Sequence, residues 1–134
     1  MRFGARLRRD ESGAGAVEFA IIAPVLFAML IGMAQLGILF FANAGLKNAV
    51  GEGARLATLF PRPTDTQIIA RINAKKYGLT ASRITGPTIV SGTSNGATFA
   101  DITMSYSVPI DFIFYEIGPF TLTQTRRVWT QPTA

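Results

Sequence analysis

Residues 12–41, SGAGAVEFAIIAPVLFAMLIGMAQLGILFF, are apolar throughout except for one acid, Glu18, and one amide, Gln35. Crossing the hydrocarbon core of a bilayer takes roughly 20 apolar helical residues, and residues 14–42 exceed that. A helix that is apolar on every side has no wet face to turn outward, so residues 14–42 read as a transmembrane helix rather than a soluble core element. Glu18 then needs an account. A carboxylate inside a spanning helix costs about 2.5–3.5 kcal/mol on insertion scales, and such acids carry a partner or a role. The plainer alternative is that Glu18, close to the end of the helix, snorkels to the cytoplasmic headgroups.

Setting aside that helix and the residues before it leaves about 90 of the 134 residues, enough for one small module. The sequence has no cysteine and no histidine, which removes disulfides, thiolate metal sites, cysteine nucleophiles and serine–histidine pairs together. The acids Asp101, Asp111 and Glu116 are scattered and show no spacing of a metal site or an acid/base pair. The expectation is therefore a non-enzyme with no catalytic residue, no metal and no cofactor.

The formal charge is +5, with Arg2, Arg6, Arg8 and Arg9 immediately before the apolar run. There they act as a topogenic signal: the N-terminus stays cytoplasmic and the C-terminal part is delivered across the membrane. Elsewhere only Lys75–Lys76 and Arg126–Arg127 are paired, without interleaved aromatics, so nucleic acid is not an expected partner. A cleaved secretory signal has the same general form, a basic stretch before an apolar one. Against it, the run is about twice the roughly 7–15 residues of a signal core, and a clearly helical pattern resumes after it. The small residues Gly13, Ala14, Gly15 and Ala16 stand at its front instead.

That placement resembles a type IV prepilin cleavage site: Gly13, four residues, then Glu18 followed by the aromatic Phe19. The sequence is similar to the TadE-like pseudopilins of the tight-adherence (Flp) pilus system. There a basic leader, a G-x-x-x-x-E-F/Y site and an A-x-x-x-P stretch recur, the last reading here Ala20-Ile21-Ile22-Ala23-Pro24. Gly51-Glu52-Gly53-Ala54-Arg55 resembles the E-G-A-R element of such proteins beyond the membrane helix. The likeness covers roughly the first 60 residues; beyond them only the general layout is shared.

The resemblance implies that a prepilin peptidase cuts after Gly13 and leaves Ala14 as the new N-terminus. Glycine before the scissile bond permits close approach of another backbone. Glu18 would then lie about one helical turn from the new ammonium group, or against that of a neighbouring subunit, and the ion pair offsets the burial of each charge. Other pilins or pseudopilins, an inner-membrane assembly platform and the lipid bilayer are the further partners implied. The location implied is the bacterial inner membrane, single-pass, with a periplasmic head and incorporation into an extracellular pilus.

Pro24 lacks an amide hydrogen and predicts a helix kink or local loosening over residues 20–24. Ala28, Gly32, Ala34 and Gly37 offer small surfaces for close helix approach. After Asn43, Leu46, Val50 and Ala54, with Ala49, Ala57 and Leu59 nearby, keep a helical spacing while Lys47, Asn48, Glu52 and Arg55 supply a wet side. An amphipathic continuation over residues 43–60 is expected, stopped by Pro61 and Pro63, giving one helix of about 70 Å. Glu52 and Arg55 are spaced to pair on it, and the element as a whole suits docking better than catalysis.

A second helix is predicted over residues 65–77, opened by a Thr64/Gln67 capping box, with Ile68, Ile69 and Ile72 packing onto the sheet that follows. The rest reads as β. Residues 83–90 form a strand interrupted at Gly86-Pro87, residues 91–96 a turn, and residues 97–110 a strand of regular alternation. Residues 111–118 form an aromatic connection whose Phe112, Phe114 and Tyr115 cover the core or meet another subunit, and residues 120–130 a last strand. Residues 131–134 read as a frayed tail.

The expected fold class is α+β, pilin-like: a leader (1–13), the transmembrane helix (14–42), its amphipathic continuation (43–60) and a head (61–134). The head combines a short second helix with an antiparallel sheet of three to four strands. The function expected is that of a minor pilin or pseudopilin of a Tad (Flp) pilus or related secretion system, acting in assembly or initiation and surface adherence. The rival reading is an unprocessed single-pass inner-membrane adaptor that scaffolds an envelope assembly machine.

Overall fold

One long helix, α1 (Ser12–Ala57), carries the other described elements on its C-terminal part. The computed structural model describes residues 12–112 and 115–130. After α1 come α2 (Asp65–Ala74), a 3-10 turn at Ala81–Arg83, and the strands β1 (Ile84–Ser94), β2 (Ala97–Phe112) and β3 (Tyr115–Thr130). The fold is α+β, as expected. The leader up to Glu11, Phe114 and residues 131–134 lie outside the described residues, as do the side chains of Phe112 and Tyr115.

Two stripes on α1, each with a period of four, build the core. Ala42, Leu46, Val50 and Ala54 are buried toward the sheet, while Gly45, Ala49, Gly53 and Ala57 form a second buried stripe made only of small residues. Helix geometry puts positions four apart on one face, so the second stripe is a shallow channel along the helix. The segment from α2 onward lies in it. A β-carbon at Gly53 would meet the Ile72 side chain, and one at Gly45 would come within 2.8 Å of the Tyr77 carbonyl oxygen.

This corrects the expected packing of α2. Its apolar stripe is real, with Ile68 and Ile72 fully buried, but it seats chiefly on α1 rather than on the sheet. The spacing of Ile68 and Ile72 shows that a face is buried; it is the missing side chain of Gly53 that makes room for them on α1, as that of Gly45 does for the chain at Tyr77. The Thr64/Gln67 capping box is present, each side chain meeting the other residue's backbone N–H. α2 ends earlier than predicted, at Ala74, where the Asn48 side-chain amide donates to the Lys75 carbonyl at 3.3 Å. α1 likewise closes at Ala57, short of residue 60, and Leu59 is half-exposed instead of joining the core.

The sheet has three antiparallel strands in the order β1-β2-β3. On β2, Ala100, Ile102, Met104, Tyr106 and Val108 are buried against α1, and Asp101, Thr103, Ser105 and Ser107 face outward, the alternation read from sequence. The outward residues pair across to β3, with hydroxyl contacts Thr103–Thr125 at 2.9 Å and Ser105–Thr123 at 2.8 Å. Nearer the hairpin, Arg127 makes a two-pronged contact with Asp101 at 2.7 and 2.6 Å and stacks 4.0 Å above the Phe99 ring. Phe99 in turn meets Trp129 edge-on at 6.0 Å.

The turn expected over residues 91–96 is smaller. β1 continues through Ser94, and only Asn95 and Gly96 turn the chain, with φ of 52° and 77°. Positive φ at both central residues is the type I′ geometry that matches the twist of paired strands, and Asn-Gly is its preferred sequence. Gly86-Pro87 does not split β1 in two; it sits in a bulge between Thr85 and Thr88. Residues 111–118 are not a separate connection either, since β2 runs to Phe112 and β3 starts at Tyr115, with Phe112 and Tyr115 in register.

Candidate assembly helix and its docking clamp

Among the described residues, most large side chains of the apolar half of α1 are exposed. Val17, Phe19, Ile21, Val25, Met29 and Met33 are each more than half exposed, Phe19 at 68%. The head first approaches α1 near Gln35 and Ile38, where Phe41, Gly78, Tyr106 and Val108 line a shallow pocket. The described helix from Gly13 is long and apolar enough to cross a membrane, and little of that apolar stretch is buried within the molecule, unlike the core helix of a soluble domain.

The residues of the proposed processing site lie at the start of this helix. Gly13 and Ala14 are already helical, and a β-carbon at Gly13 would meet nothing within 4 Å. Cutting the bond between them requires the helix to open locally there. Glu18 and Phe19 follow on the exposed surface of the helix. α1 is continuous through Pro24.

The E-G-A-R element lies some 50 Å further along, at about 1.5 Å per residue, and is built into the junction of α1 with α2. Each residue faces a different neighbour. Gly53 underlies Ile72, Ala54 is buried toward the sheet, and Glu52 binds two arginines. Arg55 reaches the Glu52 carboxylate at 3.3 Å on the same helix, as its spacing predicts. Arg71 reaches it from α2 with Nη2 at 2.8 Å and Nε at 3.2 Å. Together the guanidinium groups of Arg55 and Arg71 hold the Glu52 carboxyl below its ordinary range.

Sequence reading missed Arg71 and the stripe of Gly45, Ala49, Gly53 and Ala57. The stripe was visible as small residues at every fourth position, the pattern of close helix approach. Arg71 carried no such signal, because its partner is set by the tertiary crossing of two helices. A further tie, Gln124 Nε2 to Asn43 Oδ1 at 3.0 Å, joins β3 to α1 across 81 residues of sequence. Among the described residues no group of three acids could hold a metal ion.

Residues 13–55 match the family model described as TadE-like protein. Over this segment the chain is similar to TadE-like proteins. The match opens on Gly13, closes on Arg55 and so takes in the apolar half of α1 together with Glu52 and Arg55, leaving Arg71, the rest of α2 and the sheet outside it. No curated protein and no solved structure matches the chain. In general terms the TadE-like segment associates the chain with the Tad pilus and its components.

Proposed function

We propose that this TadE-like protein is a minor pilin or pseudopilin of a Tad (Flp) pilus or a related secretion system. A prepilin peptidase cuts it after Gly13, and it acts by assembly rather than catalysis, in pilus assembly or initiation and surface adherence. The observation that carries this reading is the single helix α1, whose TadE-like segment begins at the glycine of the cleavage-site pattern and whose apolar half leaves Val17, Phe19, Ile21, Val25, Met29 and Met33 more than half exposed among the described residues. Such a helix suits two successive surroundings, the bilayer and a bundle of like helices contributed by other pilins. In the bundle, Glu18 answers the ammonium group that cleavage creates at Ala14, its own or a neighbour's. The basic leader keeps the cut site on the cytoplasmic face, and the head stands on the periplasmic side of the inner membrane.

N-terminal sequencing or intact mass of the protein from cells with a working prepilin peptidase tests the proposal. A mature chain beginning at Ala14 supports it. A chain that retains Met1 overturns it in favour of an unprocessed membrane adaptor.

A further inference from the structure

The two edges of the sheet are unequal. On β1 the ladder is broken by the bulge at Gly86-Pro87, where proline has no N–H to offer, and α2 packs alongside, with Arg62 of its N-terminal approach bonded to Ser91 at 3.3 Å. Bulges, prolines and covering elements are the means by which sheets blunt an edge. Among the described residues β3 has none of these over residues 120–130. Its register with β2 is unbroken from Phe120 to Thr130, it contains no proline there, and among the described residues it pairs only with β2.

Along that same edge the layer of α1 and the layer of the sheet stand apart. An open groove of about 460 Å³ runs between them, floored by Gly51, Ala54 and Val128 and flanked by Arg55 and Arg126. It continues into a second hollow that adds Lys47 and Gln124. The guanidinium of Arg126 lies over Gly51, 3.6 Å from where a β-carbon would stand. The charge of this groove is one-sided. Lys47 and Arg126 have no ion-pair partner among the described residues, and the acid nearby, Glu52, is already engaged by Arg55 and Arg71.

We infer that β3 and this groove form a docking site for an acidic, extended segment of a partner protein, which adds as a fourth strand on the β3 edge. An added strand directs alternate side chains to one face of the sheet. On the inner face those side chains enter the groove, where small apolar groups fit over Gly51 and Ala54 and carboxylates meet Arg126 and Lys47. Backbone bonding supplies the attachment and the cationic groove selects the sign of charge. This site does not depend on processing of the leader or on the pilus reading.

The test uses the full chain in neutral detergent micelles and an end-capped octapeptide of alternating valine and glutamate, with its lysine-for-glutamate counterpart as the control. Hydrogen exchange should slow within residues 120–130 when the glutamate peptide is added, and the lysine peptide should bind at least tenfold more weakly. Arg126→Glu should weaken binding at least tenfold. Lys47→Glu, an exposed position on α1, should weaken it in the same direction and serves as the second variant if the first disturbs the head. Absence of binding, protection confined to other segments, or equal binding of the two peptides overturns the proposal. Concentration-dependent protection of residues 120–130 without peptide also overturns it, since a second copy of the chain then takes the edge.

Discussion

Gly53 of α1 lies directly beneath Ile72 of α2, so close that a β-carbon at position 53 would stand 2.6 Å from Ile72 Cδ1. Small residues thus set the distance between the two helices. Ordinarily Gly→Ala in a helix gains up to about 1 kcal/mol from propensity. Here the gain competes with overpacking, which costs about 1–3 kcal/mol in a filled core.

At Gly45 the added carbon meets the Tyr77 backbone carbonyl at 2.8 Å, which cannot swing aside as a side-chain end can. Gly45→Ala is expected to lower the stability of the head by about 1–2 kcal/mol. At Gly37 nothing lies within 4 Å of a β-carbon, so Gly37→Ala should leave the head unchanged. Thermal unfolding followed by near-ultraviolet circular dichroism compares the two, and equal melting temperatures for both variants would contradict the close-approach account.

Acid should loosen the head through Glu52 and Asp101. Arg55 and Arg71 lower the Glu52 pKa, and Arg127 lowers that of Asp101, from ordinary values of 4.5 and 3.8. A carboxyl with a depressed folded-state pKa binds its proton more readily when unfolded, so unfolding takes up protons as the pH falls. The stabilisation is present above those ordinary values and is lost as the pH drops through the depressed ones. Urea midpoints measured downward from pH 6 should fall in that window, and Glu52→Gln with Asp101→Asn should flatten the dependence.

The β1–β2 hairpin depends on Gly96, which holds φ of 77° with open space around its α-carbon. Any β-carbon there strains the backbone without striking a neighbour, so Gly96→Ala should cost about 1 kcal/mol. Asn95→Gly, at φ of 52°, should be nearly neutral. A lowered urea midpoint for the first variant and an unchanged one for the second is the expected pair of results.

Under the proposed pilus function, Glu18→Gln should leave cleavage after Gly13 largely intact and impair assembly. The amide keeps the size of the side chain and removes the charge that would answer the Ala14 ammonium group. Intact mass reports cleavage and electron microscopy reports piliation. Normal piliation would discard the charge pair while leaving the match of residues 13–55 to the TadE-like family untouched.

Features that repeat along the chain were legible beforehand. The apolar run, the Thr64/Gln67 cap and the alternation of β2 each write their structure locally, and each appears where the spacing places it. The boundaries of β1 were harder to read because residues 91–94 are small and polar on both faces, so a strand there resembles the turn beside it. What α2 packs against was not legible at all. Ile68 and Ile72 announce burial, but their seat is chosen by Gly53, some 20 residues earlier, and by the reach of Arg71 to Glu52. At the candidate site the same division holds: Gly13, Glu18 and Phe19 form a contiguous pattern, and the clamp is assembled only by the fold.

The unbroken course of α1 from the exposed apolar half into the head has a mechanical meaning. A pull along its axis does not peel the head from one end. It arrives as shear, distributed over the sheet-facing stripe, the α2 channel, the Glu52–Arg71 pair and the Asn43–Gln124 bond, which are all stretched at the same moment. Seams strained in parallel give way together, so tension on the N-terminal half is shared across the whole head.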